Sequence, residues 1–122
     1  NVPFSAKIFD TKVAPTLLIT SSNPVIPEGV LVKKVKDINV LEILGILKDF
    51  GVQSVLVEGG SKIFTMFLKS GLVDKIYVFL SPSVMGKGLD FFTESLGLER
   101  RLKFKIDEVL NLGNDILIIM RR

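Results

Sequence analysis

Four short segments of this chain, residues 17–19, 55–57, 76–80 and 116–120, are apolar at successive positions rather than alternate ones. A strand built that way carries side chains to hide on both faces of its sheet, so it needs cover above and below. Between these segments the spacing turns helical. Asn39 stands as an N-cap with Glu42 three residues on, and Val40, Ile43, Leu44 and Leu47 then share one helical face up to the stop at Gly51. Residues 61–70 give a second helix, with Ile63, Phe64, Phe67 and Leu68 on one face and Gly71 at its end. Strands alternating with helices predict an α/β fold with a mostly parallel sheet flanked by helices.

The remaining segments fit that plan. Residues 1–14 read as an extended lead-in, 16–20 as a buried strand, 21–29 as a Ser/Asn/Pro-rich loop and 30–35 as a short strand. Residues 53–57 and 75–80 are further strands, the latter closed by Ser81-Pro82 and a loop through Gly86, Lys87 and Gly88. Residues 102–112 alternate polar and apolar, and Gly113-Asn114 turns them back into 115–120, a C-terminal antiparallel hairpin. Within it, Lys103 and Lys105 against Phe104 and Ile106 is ordinary solvent-face patterning. Without repeat or linker, residues 1–122 are expected to form a single domain. Two clear helices and a short third candidate at 91–96 are too few to cover such strands. The domain is therefore expected to be incomplete at its N-terminus, with material before Asn1 in the same fold, or else covered by a partner subunit.

Absences limit the chemistry. The 122 residues contain no Cys and no His. Thiol nucleophiles, disulfides, the Ser-His-Asp triad and the usual zinc sites are thereby excluded. The acids are scattered, so no metal site is expected. A net charge of +3 without interleaved aromatics is a poor match to nucleic acid and suits an anionic small ligand. No apolar run reaches membrane-span length, and no secretory signal is visible, so the expected setting is cytoplasmic. A catalyst with this inventory relies on a bound cofactor for the difficult step.

The anion site suggested by the pattern is Val57-Glu58-Gly59-Gly60-Ser61, where an apolar strand ends in a carboxylate and a glycine pair opens a helix. The first amides of a helix lack intrahelical partners and sit at the positive end of its dipole. The same spacing also suits a plain strand-to-helix turn. Glu58 then serves a ligand donor or caps the helix. Ser61 is a phosphate donor or a local cap, and Lys62 a phosphate partner or a solvated side chain. Gly86, Lys87 and Gly88 are read as a structural turn, and Phe64, Phe67, Phe91 and Phe92 as core or subunit contacts.

Taken together, Val57-Glu58-Gly59-Gly60, then Gly71-Leu72-Val73-Asp74, then Ser81-Pro82-Ser83-Val84-Met85-Gly86 give the chain a resemblance to a known family. It resembles the reductase domain of the bifunctional riboflavin-biosynthesis deaminase–reductase, over residues 8–120. Lys75 stands where that family often has an acid, and Ser83 where it often has Lys. The resemblance implies a dihydrofolate-reductase-like fold and NADPH-dependent reduction of the ribosyl group of 5-amino-6-(5-phosphoribosylamino)uracil to the ribityl form. It implies Glu58 as a substrate contact, and Thr20, Ser21, Gly59, Gly60, Ser61, Lys62, Ile63 and Phe64 as cofactor-binding. It implies a small phosphorylated pyrimidine as substrate, homo-oligomers, and covalent linkage to an N-terminal deaminase domain. No catalytic proton donor is assigned; Glu58 and Asp74 are the nearby acids, and solvent suffices. A related pterin or folate reductase, or a non-catalytic piece that associates subunits through residues 102–120, are the alternatives.

Overall fold

The computed structural model describes residues 3–88, 90–93 and 102–122. They fall into two compact units, residues 1–54 and 55–122. In the first, strand β1 (Leu17–Thr20) pairs in parallel with β2 (Leu31–Lys34), in a register that sets Leu17 opposite Leu31 and Thr20 opposite Lys34. Parallel neighbours need a crossover. Here the Ser/Pro-rich loop of residues 21–30 supplies it without a helix of its own. Helix α1 (Val40–Asp49) follows, with Val40 buried and Ile43, Leu44 and Leu47 half-buried along the face that the spacing predicts. Its start is closed by its own side chains. The Glu42 amide donates to Asn39 Oδ1 at 3.0 Å, and Asn39 Nδ2 donates to Glu42 Oε2 at 3.3 Å.

The second unit opens on residues 55–60, which are extended but belong to no sheet. The strand expected at residues 53–57 is therefore not formed among the described residues. Without a neighbouring strand its apolar side chains stay in solvent, and Leu56 is 74% exposed. Helix α2 (Ser61–Ser70) comes next and buries Thr65 and Phe67. It stops at Gly71, whose φ of +70° is a left-handed cap that an ordinary side chain resists.

A three-stranded antiparallel sheet completes the unit, with β5 (Asp115–Arg121) between β3 (Lys75–Leu80) and β4 (Lys105–Leu112). The middle strand holds the sheet's buried positions, Leu117 and Ile119, two residues apart and so on one face. The predicted hairpin forms through Gly113, whose positive φ beside a negative one at Asn114 is the sign pattern of a type II′ turn. One detail departs from simple alternation. A bulge at Asp107 shifts the register between Ile106 and Glu108, and the Arg121 Nε donates to the Asp107 carboxylate at that point. β4 is exposed throughout, with Ile106 65% exposed. Lys75, the residue that departs from the family pattern, lies over the Tyr77 ring at 5.5 Å.

The fold class is thus α/β, with a parallel pair, an antiparallel hairpin sheet and two α-helices, and a short 3-10 helix at Lys7–Phe9 interrupts the lead-in expected to be extended. The third helix expected at residues 91–96 lies in its second half outside the described residues, and none of residues 91–93 is helical: Phe91 and Thr93 are bends. No helix among the described residues is long and apolar enough to cross a membrane.

Candidate functional site

Residues 58–64 run continuously from an extended segment into the first turn of α2. Glu58, Gly59, Gly60 and Lys62 are exposed, and Ser61 and Phe64 are half-buried. Gly60 is the N-cap of α2, in extended conformation at φ −80°, and necessarily offers no side-chain cap. Its carbonyl already takes the amides of Ile63 and Phe64, at 3.0 and 3.2 Å. The amides of Ser61 and Lys62 precede the first helical hydrogen bonds, so the helix itself provides no acceptor for them. No acid lies in the first turn, and Lys62 adds positive charge to an end that is already positive. Such an end favours an anion, while water can satisfy its exposed amides.

The two glycines do different jobs. A Cβ on Gly59 would meet the Ile63 Cβ at 3.3 Å, so Gly59 lets the first helical turn pack close to the backbone. A Cβ on Gly60 would meet nothing within 4 Å. The space over Gly60 is open to a ligand. Glu58 is not spent on capping α2: no hydrogen bond or ion pair with a described residue engages its carboxylate. Ile63 and Phe64 supply an apolar flank beside these polar atoms.

Thr20 and Ser21 belong to the first unit. Thr20 is buried at the carboxyl end of β1, an end where parallel α/β sheets bind ligands. Its groups are, however, largely taken up locally. The Ser22 amide donates to Thr20 Oγ1 at 3.1 Å, Ser22 Oγ lies 3.0 Å from the same atom, and the Val35 amide donates to its carbonyl. Ser21 is exposed. The same unit holds a shallow hollow among Lys33, Lys34, Glu42 and Asp49, with Lys33 Nζ 5.9 Å from the Phe50 ring. Two cations and two carboxylates there balance one another, so the hollow has no bias toward an anion.

Sequence reasoning passed over Thr65. It is 3% exposed on the apolar face of α2, and its hydroxyl accepts from the backbone amide of Thr93 at 3.0 Å. The readable signal was a lone hydroxyl among Ile63, Phe64, Phe67 and Leu68, because a buried hydroxyl needs a partner.

Comparison with known proteins gives the turn its context. The family model described as the RibD C-terminal domain matches residues 1–118, across both units. The chain belongs to that family. It is 38% identical over its whole length to the riboflavin biosynthesis protein RibD of Aquifex aeolicus, of which it covers 36%. It is 30% identical over 70% of its length to the 5-amino-6-(5-phosphoribosylamino)uracil reductase of Buchnera aphidicola, of which it covers 42%. Among solved structures, the bifunctional deaminase/5-amino-6-(5-phosphoribosylamino)uracil reductase of Thermotoga maritima is similar, with a TM-score of 0.77 and 34% identity over 88% of this chain. That likeness covers 31% of the solved chain. The RibD C-terminal domain chain therefore spans about a third of the bifunctional relatives, and its fold is that of their reductase domains.

Proposed function

We propose that this chain is part of a reductase of riboflavin biosynthesis. The reaction is NADPH-dependent reduction of the ribosyl group of 5-amino-6-(5-phosphoribosylamino)uracil to the ribityl form. The observation that carries this reading is the uncapped, cationic start of α2 beside a free carboxylate, in a family whose members bear that reductase name. The nicotinamide supplies a hydride when bound. Gly59, Gly60, Ser61, Lys62, Ile63 and Phe64 hold the cofactor: the amides of Ser61 and Lys62 take phosphate oxygens, and Gly60 leaves them room. By the family resemblance, Thr20 and Ser21 are cofactor contacts as well. Glu58 would accept a hydrogen bond from a donor on the substrate and so orient the sugar for reduction. The difficult requirement is alignment and exclusion of water, which asks for neither His nor Cys. Solvent provides the proton that completes the product.

The reading extends to residues 1–122 as a single but partial reductase domain, linked in the full protein to an N-terminal deaminase domain, in a cytoplasmic setting. Homo-oligomers are part of it, because the β4 edge and its apolar side chains are exposed. The test is a titration of the full protein with NADPH, then addition of the phosphoribosylaminopyrimidine. Loss of NADPH absorbance with a product heavier by two hydrogens supports the reading. Turnover of a dihydropterin instead selects the alternative reductase. Sedimentation with and without NADPH separates assembly from cofactor binding, and a chain that assembles but takes no cofactor is the non-catalytic alternative.

A further inference from the structure

Thr65 is the most buried polar residue among those described, and its partner lies 28 positions along the chain. The Thr93 amide donates to Thr65 Oγ1 at 3.0 Å, and the Thr93 hydroxyl approaches the same atom at 3.5 Å. Thr65 is four residues into α2 from Ser61, about 6 Å of axial rise from the open end of the helix. Residues 90–93 are therefore held beside the half of α2 that begins at the glycine turn. Two aromatics lie in that short segment. Phe91 is 72% exposed and Phe92 is also exposed, so neither serves as core among the described residues. Large exposed apolar side chains on a segment held by a part-buried hydrogen bond are costly to keep in water and well suited to cover a planar ring.

We propose that Thr65 is a positioning residue. Its hydroxyl clamps residues 90–93 against α2, so that Phe91 and Phe92 wall the site for the heteroaromatic ring of the substrate. This rests on the reductase reading above. The clamp acts on substrate more than on cofactor for a physical reason. The dinucleotide is gripped through charge by amides that a change at position 65 leaves in place. The pyrimidine depends on apolar cover and on alignment, which a loose segment degrades.

The test uses the full protein. Thr65→Val keeps the β-branched shape and removes the acceptor, leaving the Thr93 amide without it. The expected result is a KM for the pyrimidine raised about tenfold, an NADPH affinity within about twofold of the original, and faster amide exchange at Thr93. Thr65→Ser restores all three. A merely structural tether changes thermal stability and exchange but not KM, so an unchanged KM in folded, active T65V overturns the proposal. Should T65V fail to fold, Phe91→Ala decides, since its ring is mostly outside: the same KM rise supports the wall, and no change overturns it. An original protein that turns over no pyrimidine removes the reductase reading and the clamp's role together, whereas failure of the variants alone to alter KM removes only the clamp.

Discussion

The two helices of this chain begin in opposite ways. α1 is finished by its own residues: Asn39 and Glu42 exchange hydrogen bonds, and the acid sits where the helix dipole favours it. α2 begins on two glycines with no side-chain cap and no acid in its first turn, and Lys62 adds charge of the unfavourable sign. Both helices have ten residues and an apolar face, so packing does not explain the contrast. A helix start that is left unsatisfied and cationic is one that an outside anion can complete. The first helix closes its own start and the second leaves its start open, and the difference is written in the first few residues of each.

The sharpest way to break that comparison is Gly60→Val. Its side chain enters the open space over the turn, so NADPH binding is expected to weaken by about tenfold or more with the fold retained. Unchanged cofactor titration in this variant removes the site assignment. Next comes Glu58→Gln, which keeps shape and removes charge. It is expected to lower kcat/KM for the pyrimidine by about tenfold while cofactor affinity holds, and equal loss of both contradicts its role. Asn39→Ala probes the other helix. It should cost about 1 kcal/mol of stability, seen in denaturant unfolding, and leave NADPH affinity alone. The smallest effect is expected from Lys62→Glu. In the absence of cofactor it should stabilise α2 by about 0.3–1 kcal/mol through the dipole, yet weaken NADPH a few-fold. Opposite signs for those two measurements would show that the second helix sacrifices stability for binding; the same sign would sink the contrast drawn between the two.

Much of the architecture was legible because local chemistry is strong at its boundaries. Asn39 with Glu42, Gly71 in the left-handed cap and Gly113 in the hairpin turn each impose a conformation regardless of distant contacts. The glycine pair before α2 was legible as a helix start for the same reason, since Gly60 stands as its N-cap. What stayed hidden needed neighbours. Residues 53–57 have every property of a buried strand, but a strand exists only when another backbone pairs with it, and among the described residues none does. The bulge at Asp107 shifts the alternation in β4, and no pattern of single residues announces where a ladder slips. The unequal roles of Gly59 and Gly60 depend on where the Ile63 side chain lies, which spacing alone does not disclose.

By itself, the order of residues determined that this chain makes strands, two α-helices and a glycine turn at a helix start, and that these 122 residues hold no thiol or imidazole. Tertiary structure alone decided that Glu58 has no partner among the described residues, that Gly60 faces open space and that Thr65 holds Thr93 from 28 residues away. The reason is range. Caps and turns are settled within about four residues by backbone geometry, whereas vacancy, pairing and clamping are relations between atoms that only folding brings together.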